Sequence, residues 1–279
     1  MALPVTLEEA VEALVQHPGA HLLAGGTDFC VEVNFGLRRP PAVVGLRRVG
    51  ELRGWRAGDD EVVLGAGITY TEMTGPMAEV LPGLAAAART VGSPQIRNAG
   101  TLGGNIATAS PAGDALPLLA ALDARVTLQG PDGSRVVPLT DLITGVKRTS
   151  IRPGEIVVSA SVARVRGPQQ FLKVGTRNAM VIAIASAAVV LDLDRRRVRC
   201  ALGSVAPVPL RARRAEEMIS EEIDWSSLSV GESALRRFGD LAADECSPIT
   251  DHRSTAGYRR HAVGVIASRG LRRCLRDAA

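Results

Sequence analysis

The chain is poor in aromatic residues, has four scattered cysteines and carries no apolar run of membrane length, and each shortage narrows what it can be. Aromatics are 3% of 279 residues, too few to build the stacking platforms on which nucleic acid is held. Cys30, Cys200, Cys246 and Cys274 form no CxxC pair, which excludes a disulfide framework, a zinc ribbon and an iron–sulfur cluster within this chain. No metal of its own is expected. No stretch reaches the ~20 apolar residues that cross a bilayer, and MALPVTLEEA has neither the basic start nor the apolar core of a secretory signal. The expectation is a cytoplasmic protein with no membrane span and no nucleic-acid partner. A net charge of +4 arises largely from arginines late in the chain, around Arg211, Arg259 and Arg272, which read as solvated helix faces.

What is present is enough for a compact fold. Hydrophobic residues make up 46% and charged residues 22%, a balance that buries a core, and the length allows two domains. Glycine and small residues concentrate between Gly92 and Asp114, most densely at Thr101-Leu102-Gly103-Gly104-Asn105. Glycines let successive backbone N–H groups line a concavity for an anion such as pyrophosphate. A second glycine turn, Ala24-Gly25-Gly26-Thr27-Asp28, follows the strand-like His21-Leu22-Leu23 and precedes an apolar segment, Phe29 to Phe35, in the strand–turn–helix order of anion sites. Gly65-Ala66-Gly67 hints at a dinucleotide fingerprint, but Tyr70 replaces its third glycine, which disfavours a Rossmann site.

The remaining signals are local. Thr6 to Glu9 fits a capping box for a helix to about Gln16. Strands are expected at Ala42 to Leu46, Glu61 to Ala66, Arg125 to Gln129, Arg135 to Val137 and Ile156 to Val162, with a hairpin at Pro131-Asp132-Gly133. Helices are expected at Leu84 to Val91 and Ala115 to Leu122. Val165 to Gln170 is the boundary candidate. Beyond it an antiparallel pattern (Phe171 to Val174, Ile182 to Leu193, Val198 to Val205) precedes helices at about Arg211 to Ile219, Gly231 to Ala243 and Thr255 to Leu275. In the last, Tyr258, Ala262, Val265 and Ile266 recur at helical spacing and read as a core stripe.

The two glycine turns, with Ser110-Pro111-Ala112-Gly113-Asp114, resemble the FAD-binding medium subunit of molybdenum hydroxylases, the xanthine dehydrogenase and carbon monoxide dehydrogenase family. GSPQIRNAGTLGGNIATASPAGDALPLLAALDA is close to the family's central signature. FLKVGTRNA matches the start of its second domain, and VAPVPLRARRAEEMI and YRRHAVGVIASRGLRR its later segments. The resemblance implies an α+β fold: a two-lobed FAD-binding domain of the vanillyl-alcohol oxidase type over residues 1–165 (lobes about 1–55 and 56–165), then a smaller α+β domain over 169–279 with an antiparallel sheet and helices. It implies non-covalent FAD, and partner subunits that hold two [2Fe-2S] clusters and molybdopterin, assembled as a dimer of heterotrimers that delivers electrons to NAD, oxygen or another acceptor.

Carried over by residue, His21, Leu22, Leu23, Ala24, Gly25, Gly26, Thr27 and Asp28 would wrap one side of the FAD pyrophosphate, and Thr101, Leu102, Gly103, Gly104 and Asn105 the other. Asp114 would accept hydrogen bonds from cofactor hydroxyls, or else cap the next helix. Val157 would meet the isoalloxazine through its backbone, and Lys173 would stand near the flavin or else pair at the surface. The chain departs from the family at Val181, where an aspartate is usual after Arg177. Two other readings stay open: a self-sufficient flavoprotein oxidase or dehydrogenase, and a scaffold that kept the fold without catalysis.

Overall fold

Thr6 begins the first helix as its sequence requires. Its hydroxyl accepts from the Glu9 N–H at 3.1 Å, and the Glu9 carboxylate accepts from the Val5 and Thr6 N–H groups, so free donors at the helix start are satisfied reciprocally. The computed structural model describes all residues 1–279. This helix, α1 (Leu7–Gln16), is followed by β1 (His21–Leu23), α2 (Phe29–Asn34) and β2 (Val43–Gly45), with β1 and β2 paired in parallel. The amino-terminal lobe so formed has little interior of its own. From Glu12 to Val43 no residue is fully buried.

The chain then enters a larger body. It runs through β3 (Trp55–Ala57), β4 (Glu61–Gly65), α3 (Tyr70–Met73), α4 (Pro82–Arg89), α5 (Pro94–Ala99), α6 (Leu102–Thr108) and α7 (Ala115–Ala121), then β5 (Arg125–Gly130), β6 (Gly133–Pro138), α8 (Leu139–Leu142), β7 (Ile143–Gly145), β8 (Arg148–Thr149) and β9 (Ile156–Ala163). Five of these strands form an antiparallel sheet in the order β3-β4-β9-β5-β6. In β5 buried Val126 and Leu128 alternate with more exposed neighbours, the two-residue period of a sheet packed on one face. The register of β5 against β9 shifts between Thr127 and Leu128. Such an irregularity redirects side chains locally, and here it falls beside Val157.

After Gly167 come β10 (Gln169–Val174), β11 (Ala185–Asp192), β12 (Arg197–Gly203) and β13 (Leu210–Arg211), antiparallel in chain order, then α9 (Arg213–Glu222), α10 (Glu232–Glu245) and α11 (Ala256–Ala278). All eight residues of β11 are buried. The reason is coverage of both faces: α4 and α7 pack on one, α9 and α11 on the other. Phe171, Ala188, Val190 and Ala201 accordingly join the core of the first body, while Leu172, Ala187, Val189 and Leu191 join that of the terminal helices. With both faces dry, the strand reads as an unbroken apolar run.

Two expectations are corrected. Arg211 and Arg259 do not lie on solvated faces. Arg211 is buried: its guanidinium grips both Glu216 oxygens at 2.6 and 2.7 Å and reaches Asp123 at 2.6 Å and the Ala120 carbonyl at 3.2 Å. Arg259, also buried, donates to the Ile184 and Ser204 carbonyls and to Asp251. Interior carbonyls at a corner between elements need donors, and a planar five-donor guanidinium supplies several at once. The core stripe of α11 is also rotated from its expected phase: Tyr258 is 50% exposed, and the buried positions are Arg259, Ala262, Val263, Ile266 and Ala267. Within Gly92 to Asp114, α5 and α6 occupy most of the segment.

Candidate functional site: a cleft between two glycine turns

β1 ends at Leu23 and the backbone turns through Ala24 to Asp28 before α2 begins. Gly26 takes φ +74°, a conformation that costs other residues energy. Gly25 is required for a different reason. A Cβ there would overlap the carbonyl of Ala99 at the end of α5, so only a bare backbone lets the turn close on its neighbour. The N–H groups of Ala24, Gly25, Gly26, Thr27 and Asp28 donate to no acceptor in the chain. A row of free donors at a concave turn is an anion-binding arrangement.

The second glycine turn differs from its expected form. Thr101 caps α6, its hydroxyl accepting from the Gly104 N–H at 3.1 Å. The N–H groups of Leu102, Gly103 and Asn105 are also spent, on the carbonyls of Ile68, Ala66 and Thr101. TLGGN is therefore no cradle of free donors. Gly103 is glycine because a Cβ would come within 2.6 Å of the Ala66 Cβ, and Leu102 points into the core with no exposure. Asn105 faces the cleft with its side-chain Oδ1 buried and unpaired.

Asp114 lies at the start of α7 without capping it. Its Oδ2 accepts from Lys173 Nζ at 2.5 Å and from the Thr90 hydroxyl at 3.1 Å, whereas Oδ1 is buried with no partner. Lys173 also reaches the Thr90 carbonyl at 3.2 Å. The lysine is 8% exposed and the aspartate 5%, so the surface pairing considered for Lys173 and the capping considered for Asp114 are both set aside. Burial pushes the Asp114 carboxyl above its ordinary range, opposed by the Lys173 charge and by the hydrogen bonds from Lys173 and Thr90. A carboxylate is held here with one oxygen neutralised and one left open.

These groups line a single cleft of about 1380 Å³, larger than the roughly 300–1,000 Å³ that encloses a drug-sized ligand. His21, Leu22, Ala24 to Asp28, Thr101, Gly103, Gly104, Asn105, Asp114, Val157 and Lys173 reach it; Leu23 and Leu102 do not. The His21 Nδ1 is buried without a partner. Val181 and Ile182 form an apolar stretch of the lining near Lys173 in sequence, and Val181 packs over Gly175.

No motif marks Tyr70, yet it stands in this cleft. It is 5% exposed, its ring lies under Gly100, and its hydroxyl makes no hydrogen bond. Burial raises its pKa, with Asp114 and Asp28 adding to the effect, so it remains a neutral donor. In the sequence it registered only as the residue that spoils a dinucleotide fingerprint. Arg38, Arg47 and Arg152 also line the cleft, and nothing in their sequence surroundings distinguishes them from other surface arginines.

A long cleft with a free-donor turn on one wall, unpaired acceptors on another and a second domain supplying a lysine defines a nucleotide-cofactor protein of the two-lobed kind. Residues 1–163 match the family described as the FAD binding domain in molybdopterin dehydrogenase, and residues 170–274 the CO dehydrogenase flavoprotein C-terminal domain. The chain belongs to this family of FAD-binding medium subunits of molybdenum hydroxylases, and is an FAD-dependent oxidoreductase subunit. It is 31% identical over 275 residues to the carbon monoxide dehydrogenase medium chain of Hydrogenophaga pseudoflava, covering 96% of this chain and 94% of that one. It is 33% identical over 231 residues to the nicotinate dehydrogenase FAD-subunit of Eubacterium barkeri, covering 77% of each. Among solved structures, reconstituted CO dehydrogenase from Oligotropha carboxidovorans superposes with a TM-score of 0.91 at 30% identity, over 100% of this chain and 97% of that one.

Proposed function

We propose that this chain is the electron-transfer subunit of a three-subunit molybdenum hydroxylase, taking electrons from the [2Fe-2S] clusters of a partner and passing them to NAD, oxygen or another acceptor. The observation that carries the reading is the match between open groups on the cleft walls and the parts of FAD. Five free N–H groups from Ala24 to Asp28 suit a pyrophosphate; the bare Asp114 Oδ1 and Asn105 Oδ1 suit the hydroxyls of a ribityl or ribose chain. Val157 and Lys173, which line the same cleft, are left to the flavin ring. When bound, FAD supplies the junction between one-electron and two-electron transfer. The chain's own residues hold and orient it: Lys173 keeps Asp114 ionised enough to accept hydrogen bonds, and Tyr70 offers a neutral donor between two carboxylates.

The same reading includes non-covalent attachment, a dimer of heterotrimers with an iron–sulfur small subunit and a molybdopterin large subunit, and a cytoplasmic location. It is tested with the purified chain and the purified complex under anaerobic conditions. The complex should bleach its flavin absorbance when given its organic substrate, and the isolated chain should retain flavin yet fail to respond. Bleaching of the isolated chain by a small substrate would instead identify a self-sufficient flavoprotein. A preparation that neither carries nor binds flavin would leave only the scaffold reading.

A further inference from the structure

Arg135 does not line the cleft, yet it holds a piece of chain that does. Ile151, Arg152, Pro153 and Gly154 belong to the cleft wall, and Arg135, on β6, grips the residue on either side of them. Its Nη2 donates to the Ser150 carbonyl at 2.8 Å, and its Nε and Nη2 donate to the two Glu155 oxygens at 2.6 and 2.8 Å. A planar guanidinium suits such a bracket, since its fixed fork serves a carbonyl and a carboxylate together.

The bracketed segment is a turn that its residues specify. Proline followed by a glycine at positive φ, here Gly154 at +81°, is the choice of a type II turn, and the Glu155 N–H donates to the Arg152 carbonyl at 3.1 Å. The Glu155 side chain closes the turn a second time, accepting from the Arg152 N–H at 2.6 Å. The tip of the β5–β6 hairpin lies against it: a Cβ at Gly130 would meet the Glu155 Cγ at 3.1 Å, and one at Gly154 would meet Pro131 at 3.4 Å.

Most charges of the cleft are spent on one another. Glu32 takes Arg38 at 2.8 Å and Lys147 at 3.3 Å, and Asp114 takes Lys173. Glu155 spends its oxygens on Arg135 and on the Arg152 backbone, so the Arg152 guanidinium, exposed in the cleft, has no acidic partner. Arg47 and Arg53 also line the cleft without an ion pair, but no contact joins them to Arg135. Arg135 is the main cause that holds the Glu155 carboxyl below its ordinary range, against the effect of burial, and the Arg152 charge adds to it. Take Arg135 away and the buried carboxylate has Arg152 as its remaining cation. The Lys147 to Glu32 pair also ties the approach to this segment to α2, which begins where the row of free N–H groups ends. That turn offers a pyrophosphate dipoles but no cation of its own.

We propose that Arg135 is a positioning residue of the cofactor site: it fixes Ile151 to Gly154 as cleft wall and, by engaging Glu155, leaves the Arg152 guanidinium free to meet the phosphate charge of FAD. The inference rests on the function proposed above and deepens it by naming the side chains that answer that charge.

The test titrates FAD into the full chain stripped of flavin, followed by fluorescence at low and high salt. Arg152→Met, at an exposed position, should fold as wild type and bind FAD about tenfold more weakly, the worth of one charge-assisted hydrogen bond, with a shallower dependence on salt. Arg135→Met should weaken FAD by at least as much, and Arg135→Lys, which keeps the charge without the fork, should fall between. Because Glu155 then occupies Arg152, Arg135→Met/Arg152→Met should bind no more weakly than Arg135→Met alone. Arg135→Met/Glu155→Gln should regain about threefold together with the salt dependence, as expected when the captured cation is released. Should Arg135→Met not fold, Arg135→Lys carries the same comparisons. Arg152→Met binding FAD as tightly as wild type overturns the proposal. So do losses at the two arginines that multiply, which would make Arg135 a support of the fold alone. A wild-type chain that takes up no FAD overturns the proposed function itself, which separates the two failures.

Discussion

Replacing Lys173 by methionine should lower stability sharply, because it strands a charge. Asp114 is 5% exposed and Lys173 8%, so solvent screens neither, and the Nζ to Oδ2 distance is 2.5 Å. Removing one partner of a buried pair costs about 3–5 kcal/mol, whereas exchanging both for apolar or neutral groups is often nearly neutral. At roughly 2–4 °C per kcal/mol for chains of this size, Lys173→Met should unfold about 6–20 °C below wild type at pH 7 by circular dichroism. Asp114→Asn/Lys173→Met should recover most of the difference.

The pH dependence has a definite sign. The Asp114 carboxyl binds its proton more tightly in the folded than in the unfolded chain. Its contribution is therefore fullest below the ordinary carboxylate range and is lost as pH rises through the folded value. Without Lys173 the folded value rises further, and the loss extends to higher pH; the double variant removes it. A single variant within about 0.5 kcal/mol of wild type, or a double variant as unstable as the single with an unchanged pH profile, would refute the argument.

Three other substitutions probe separate parts of the molecule. Gly25→Ala forces a methyl group into the Ala99 carbonyl and should cost more than about 2 kcal/mol with loss of flavin; Gly104→Ala, whose Cβ meets only the Thr101 hydroxyl at 3.0 Å, should be close to neutral in thermal unfolding. Tyr70→Phe should leave the flavin-free chain unchanged in stability and weaken FAD about tenfold in a fluorescence titration, the worth of roughly one hydrogen bond. Arg211→Met strands Glu216 against the Cys200 N–H that it also accepts from and should cost about 3–5 kcal/mol in a urea titration.

Much of this architecture is legible in the chain because its signals are local. The Thr6 capping box, the hairpin at Gly133 and the helix beginning at Thr255 each depend on neighbours within a few residues. The resemblance carried the cofactor and the fold class. What escaped was set by contacts distant in sequence. TLGGN looked like a donor cradle, but Ala66 and Ile68 consume its N–H groups and Ala66 explains Gly103. Arg211 and Arg259 looked like solvated charge, and only the arrival of Asp123 and Ile184 from other elements turns them inward. Tyr70 gave no signal, since a single tyrosine becomes a cleft residue only when Gly100 is laid over it.

The sheet of β10 to β13 has a consequence for how a cofactor enters. One of its faces shares a core with α4 and α7, and Asp123 is gripped by Arg199 and Arg211 at 2.8 and 2.6 Å. The second domain is thus fastened to the back of the first and cannot swing away without exposing an apolar wall. The amino-terminal lobe is fastened more lightly: between Glu12 and Val43 no residue is fully buried, and the ties to the larger body are the Glu32 to Lys147 pair at 3.3 Å, the packing of Leu14 and Leu22, and the close approach of Gly25 to Ala99. Of the two walls of the cleft, the lobe with the least interior is therefore the one that gives way at lower cost, and the domain that contributes Lys173 the one that holds its place.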